Sequence, residues 1–518
     1  MWKKQGISLN ASGTARAWMV AAAVLIAVVT AETRLSAPWR VIFTNDELHH
    51  IESWRHRYRT DDIYPMVVTK VERSGLLNDR QFELFESFYN LGPLAQRALA
   101  VVFEIQPPSF PVLAEVIEAI THSNLIALRS VSVVASLAAV LLMWLIGRRL
   151  QDDLLGFFMA GLLAIGPLTQ VYAGLGRPYA LAQAGLLGAI YVFIRERSVK
   201  RSSPRRFLLA ALLAQTTQWI VWAEVGPLVL VELWQRWREG SSLPKLLRQS
   251  WWYGVLSVLL LCEMAFHMAT NVQTLKYFGR SGVLSHIAMG SPFAHLASFG
   301  DVGLFAGGLA LLGLMLLGAV AFGRDDRASL ELRVGLIGAL LGSVVAPLMI
   351  ATNYSFSVTF CVVPTMFAAI GLRSLFARPQ LGFATVVAIV SAFGLLGWVH
   401  PEQPHTRILD HDSPEYDEIA IRLASELGPN DRWTAFPYFK ANCLYPFADL
   451  PEPDWAISFD EFRELVRNRK TSGSYFIVIR QIHHPKPELV ELLQDADAEL
   501  IEEYLGNYSL VKLPPRAD

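Results

Sequence analysis

The chain has 518 residues, of which 53% are hydrophobic and 18% charged, with a formal net charge of −1. Two or three ordinary soluble domains would not concentrate apolar residues in this way, and the charges are unevenly spread, so the composition points to a polytopic membrane protein. The near-zero net charge identifies no partner, no nucleic-acid partner is expected, and the three cysteines, Cys262, Cys361 and Cys443, have neither metal-ligand spacing nor the pattern of a disulfide framework.

Lys3, Lys4 and Arg16 precede the first apolar run, which resembles a signal peptide ending in Val-Thr-Ala at position 31. Whether or not it is cleaved, the chain that follows emerges on the outer side. The stretch Ser109 to His122 is about 14 residues long and carries Glu115 and Glu118, too short for a crossing of roughly 20 residues. With that stretch placed in the interface, the apolar runs give about eleven spans: 17–36, 127–147, 154–173, 179–195, 207–223, 225–238, 251–270, 301–322, 333–352, 357–376 and 381–399. The loops that then fall inside hold 17 Lys and Arg, against 3 in the short outer loops. Letting 109–122 span would invert every one of these loops.

The fold class expected is therefore an α-helical polytopic membrane protein with a small C-terminal α/β domain outside the cytoplasm. Its parts are a transmembrane domain over 1–399 and a soluble domain over 400–518. The N-terminus is expected on the cytoplasmic side of the plasma (inner) membrane. In the first outer loop, 37–126, segments Glu47 to Arg59 and Gln81 to Phe103 place apolar residues at helical spacing, as helices lying along a membrane do. In the tail, Ser413-Pro414-Glu415 starts a helix that Gly428 stops, Tyr475 to Ile479 reads as a buried strand, and Glu499 to Leu513 reads as a hairpin turned at Gly506-Asn507.

Chemistry-bearing residues gather on the outer side. Asp46 and Glu47 follow the first span directly, where two adjacent carboxylates suit a polar cavity, although either Asn45 or Asp46 could equally cap an interfacial helix. Glu104 and Gln106 precede Pro107-Pro108, a rigid extended turn that would hold both, or would simply stop a helix. Arg177 is a lone arginine in an outer turn, against the charge bias, with Gly174 and Gly176 letting the backbone bend around it and Tyr179 just beyond. Its guanidinium suits two-pronged binding of a phosphate, and the alternative is a snorkelling anchor to lipid headgroups.

Glu263 and His267 stand one turn apart in the seventh span and could face a polar cavity or each other. Lys276 and Arg280 lie in the next outer loop and could form an anion-binding lid or a solvated basic loop. His49 and His50 adjoin the acidic pair, but no further ligands are identifiable, so neither a metal nor another cofactor is expected. A carboxylate to take a proton from an acceptor hydroxyl, facing a cation to stabilise a phosphate leaving group, is the equipment for glycosyl transfer from a lipid-linked sugar phosphate.

The acidic pair after the first span, the Pro107-Pro108 motif, Ala127-Leu128-Arg129, Gly147-Arg148-Arg149-Leu150 and Arg177-Pro178-Tyr179-Ala180-Leu181 resemble bacterial GT-C glycosyltransferases. The relatives in view are those akin to protein mannosyltransferases and to the aminoarabinose transferases of lipid A. The resemblance is best over roughly 40–200. It implies a polyprenyl-phosphate-linked sugar donor, Asp46 as catalytic base with Glu47 and Glu104 as acidic neighbours, and Arg177 as a donor-phosphate contact. Gln106 stands where that family usually has His, and Asn353 to Phe360 lacks an Arg-Tyr pair often found there. The alternatives are a secondary transporter, which the absence of an internal repeat and the position of the charges disfavour, and a non-catalytic membrane scaffold.

Overall fold

The computed structural model describes residues 109–270, 302–349, 361–376, 416–436, 450–480 and 487–515, with short interruptions, together with a few isolated positions. The chain divides into two compact units, one of Met1–Val41 and His56–Pro401, the other of Ile42–Arg55 and Glu402–Asp518. The helices of the first are α1 (Ser109–Thr121), α2 (Asn124–Leu150), α3 (Asp153–Ile165), α4 (Tyr179–Ser198), α5 (Pro204–Gln215), α6 (Trp222–Arg238), α7 (Leu243–Thr270), α8 (Val302–Gly323), α9 (Leu330–Met349) and α10 (Val362–Leu375). Helices α2 to α10 occupy all or part of nine of the expected spans; the first, 17–36, and the last, 381–399, fall outside the described ranges. Among the described residues, one helix is by itself long and apolar enough to cross a membrane, Ile126–Leu150.

Two expected spans are interrupted within their apolar runs, for local reasons. In the span expected over 154–173, α3 ends at Ile165, because Gly166 takes an extended ψ of 121° ahead of Pro167, whose ring disfavours a helical residue before it; Thr169 and Ala173, past this break, are again helical. The span expected over 207–223 ends at Gln215, where the hydroxyls of Thr216 and Thr217 donate to the carbonyls of Leu213 and Ala214. Helix α1, thirteen residues long, buries Phe110 and Ala114 against α2 and exposes Val112, Leu113, Val116 and Ile120, an aliphatic stripe suited to lipid contact.

Close helix contacts depend on small residues, as expected where hydrocarbon outside the bundle removes the usual driving force for association. A Cβ on Gly318 of α8 would collide with the carbonyl of Phe367, and one on Gly371 of α10 with that of Leu314, so these helices cross with their backbones nearly touching. Gly342 plays the same part between α9 and the start of α6, at the carbonyl of Ala223. Large apolar side chains fill the space between such crossings, with Phe193, Phe207 and Phe367 fully buried.

The second unit contains α11 (Tyr416–Glu426), β1 (Arg432–Phe436), α12 (Phe459–Arg467), β2 (Tyr475–Arg480), α13 (Pro487–Asp495), β3 (Glu499–Tyr504) and β4 (Tyr508–Leu513). The sheet order is β1-β2-β4-β3, with β1 and β2 parallel and the other pairs antiparallel. Because side chains alternate along a strand, β2 sends Phe476 and Val478 to one core with Ile419 and Leu423 of α11. It sends Tyr475, Ile477 and Ile479 to the other, with Phe462 of α12 and Leu489 of α13. The expected helix, strand and hairpin are all present, while Gly506 and Asn507 at the hairpin turn lie outside the described residues. The edge of β1 is covered: the Asp454 N–H donates to the carbonyl of Trp433 at 2.9 Å, and the Trp433 indole donates to the carbonyl of Pro451 at 2.8 Å.

Candidate functional site

The two ends of the helical bundle treat charge differently. At one end lie the C-termini of α2, α4, α6, α8 and α10 and the N-termini of α5 and α9, where acids and bases neutralise one another. Arg373 Nη2 meets Asp152 Oδ2 at 2.7 Å, Arg197 Nη2 meets Glu232 Oε2 at 3.2 Å, and Arg236 Nε meets Glu232 Oε1 at 3.1 Å. Asp152 also caps α3 by accepting from the Leu155 N–H at 2.8 Å. These pairs hold the bundle together, and none of them was proposed from sequence as a site residue.

The opposite end buries polar groups in a different arrangement. Ser132 on α2 has its hydroxyl donating to the carbonyl of Arg177 at 2.9 Å, while the Arg177 N–H donates back to Ser132 Oγ at 3.2 Å. The turn carrying Arg177 is thereby fixed to the side of α2. Pro178 then starts α4, its carbonyl accepting the Ala182 N–H at 2.8 Å, in the position where a missing N–H is no loss. Arg177 is 7% exposed and its guanidinium carbon lies 5.7 Å from the centre of the Tyr179 ring, itself buried. An arginine snorkelling to headgroups keeps its guanidinium at the surface; this one is enclosed by the bundle. Arg129, one turn before Ser132 on the same face of α2, is 1% exposed.

The sequence reading missed a second buried group at this end. Glu224, in the first turn of α6, is fully buried, and its Oε1 accepts a 2.5 Å hydrogen bond from the hydroxyl of Ser343 on α9. Among the described residues, its Oε2 has no hydrogen-bond partner. In sequence, Glu224 is the single residue between two apolar runs, and an acid at such a joint is the signal that could have found it.

Of the residues proposed from sequence, the structure brings Arg177 and Tyr179 together. Glu263 and His267 lie on α7. Asp46, Glu47, Glu104, Gln106, Lys276 and Arg280 lie outside the described residues. Among the described residues there is no cluster of three or more metal-ligating side chains.

No family model matches the chain, and neither does any curated protein. Solved structures do. The crystal structure of ArnT from Cupriavidus metallidurans in the apo state matches with a TM-score of 0.54 at 14% identity, covering 96% of this chain and 98% of that one. ArnT from the same organism bound to undecaprenyl phosphate matches with a TM-score of 0.52 at 14% identity, over 97% and 98%. Archaeal oligosaccharyltransferase AglB from Archaeoglobus fulgidus, in complex with an inhibitory peptide and a dolichol-phosphate, gives a TM-score of 0.45 at 13% identity, over 85% and 61%. The chain thus shares the helical fold of ArnT.

Proposed function

We propose that the protein is an integral membrane glycosyltransferase that moves a sugar from a polyprenyl-phosphate donor to an acceptor hydroxyl on the outer face of the membrane. The observation that carries this reading is Arg177, a buried arginine fixed in a turn at the polar end of a bundle whose fold is that of ArnT, a protein that has been crystallised with undecaprenyl phosphate. A guanidinium enclosed there offers a planar pair of donors to a phosphate away from competing water. In the reaction, the acceptor oxygen bonds to the anomeric carbon, its proton passes to Asp46, and the bond to phosphate breaks. Polyprenyl phosphate leaves as a stable anion, so one base with inverting geometry suffices and no strong general acid is needed. Glu47 and Glu104 are the acidic neighbours of that base, and Gln106, Tyr179, Glu263, His267, Lys276 and Arg280 line the path of donor or acceptor. Lipid extracts of a deletion strain, compared by mass with the parent, should lack one glycosylated species. Identical extracts, with proteins and cell-wall polymers also unchanged, would count against a transferase.

In this reading about eleven spans place the N-terminus inside the plasma membrane and the tail from His400 outside. Cys443 should then react with a membrane-impermeant thiol reagent added to intact spheroplasts. Cys262, on α7, and Cys361, buried just before α10, should stay protected. Labelling of Cys443 only after lysis, in a variant carrying Ser at the other two positions, would show the span count to be wrong by one.

A further inference from the structure

The Glu224 carboxyl and the Ser343 hydroxyl form a pair whose protons can be counted. Ser343 Oγ lies 2.5 Å from Glu224 Oε1 and 3.0 Å from the carbonyl oxygen of Ala339, one turn earlier on α9. An ionised carboxylate and a carbonyl only accept, and a serine has one proton to donate. With Glu224 ionised, one of the two contacts would therefore set lone pairs against each other. With Glu224 protonated, the acid donates to Ser343 Oγ and Ser343 donates to the Ala339 carbonyl, so each contact holds one proton.

The surroundings favour the same state. Glu224 and Ser343 are both fully buried, as are Val221, Val225 and Ala339 beside them. An ionised carboxylate spreads its charge over both oxygens, yet among the described residues Oε2 meets no donor. In a carboxylic acid that oxygen is an uncharged carbonyl, far less costly to leave unpaired.

The packing offers neither water nor a cation in compensation. The carbonyl of Ala223 fills the place where a Cβ on Gly342 would stand, and the Glu224 nitrogen would lie 3.3 Å from it. The backbones of α6 and α9 thus meet beside the pair, which is hostile to the hydration an ionised carboxylate needs. Helices α4, α5, α7 and α9 pack on α6, and among their described residues no charged side chain acts on Glu224. Its polar neighbours are Ser343 and the thiol of Cys361, just before α10.

We infer that Glu224 is a proton-binding site: it holds a proton at neutral pH, and the acid so formed clasps α6 to α9 through Ser343. The site binds its proton whether or not the protein transfers sugar.

The test uses the full-length protein in lipid nanodiscs. At about pH 6, where exposed carboxyls are ionised, the infrared spectrum of the parent minus that of Glu224→Gln should contain the C=O stretch of a protonated carboxylic acid. Raising the pH should bleach that band. Carboxylate bands alone in the difference would overturn the assignment. Stability gives a second readout. The unfolded chain gives up this proton in the ordinary carboxyl range, around pH 4.3, while the native protein keeps it. The contribution of the native proton is therefore full below that range and declines as the pH rises, until the native acid ionises too. From about pH 5 to about pH 9 the Tm of the parent should fall by about 3 °C or more relative to Glu224→Gln, whose neutral amide still donates to Ser343 Oγ. Tm values that run parallel across the range would also overturn it. Should Glu224→Gln not fold, Ser343→Ala replaces it: loss of the acceptor should move the acid band to higher frequency, and a band that is absent or unmoved would count against the site.

Discussion

Asp46→Asn is expected to give a folded, donor-binding protein that transfers sugar about 10²- to 10⁴-fold more slowly than the parent, the usual contribution of a positioned general base. The substitution separates two roles. Asn and Asp are about equally good helix caps and nearly the same shape, so a capping role predicts an almost normal enzyme. A base role predicts a dead one, because the amide cannot take the proton that the acceptor hydroxyl loses as its bond to the anomeric carbon forms. Glu47→Gln should be milder, since in this account Glu47 tunes its neighbour. Turnover in membranes, at matched expression and matched thermal stability, reads the difference.

Arg177→Ala should reduce binding of a polyprenyl-phosphate sugar more than any other single change among the described residues. Arg177→Lys keeps the charge and loses the planar fork, and should weaken binding by roughly 1 to 3 kcal/mol, the range for a charge-assisted hydrogen bond. The backbone bonds between Arg177 and Ser132 do not involve the side chain and should survive both substitutions, so the turn itself should hold. Thermal stability measured without donor separates loss of a phosphate contact from loss of packing around a buried side chain. Parental donor affinity in Arg177→Ala would assign the residue to structure alone.

Much of the bundle was legible because apolar runs of helical length end in arginines, and those arginines pair with acids at one end of the structure, as Arg197 does with Glu232 and Arg373 with Asp152. Arg177 was legible for the opposite reason, as a cation where the charge bias predicts none. Glu224 was less so: its position at the joint of two apolar runs marks it, but its buried environment is made by Ser343, 119 residues away. Two helix ends were not legible in the hydropathy: the expected spans run through Gly166-Pro167 and the Thr216-Thr217 pair, which stop α3 and α5 by backbone and hydroxyl chemistry. The glycine crossings of α8 with α10 depend on which helices meet, a property of the packed bundle and of no single segment.

The most direct measurement is transfer by the purified protein in liposomes carrying polyprenyl phosphate linked to a radiolabelled sugar, with a membrane extract as the source of acceptor. The parent is expected to release free polyprenyl phosphate as label appears in an acceptor, and Asp46→Asn to do neither while still binding the donor. Donor that stays intact with the parent, or label that crosses the bilayer with its bond to phosphate unbroken, would contradict that expectation.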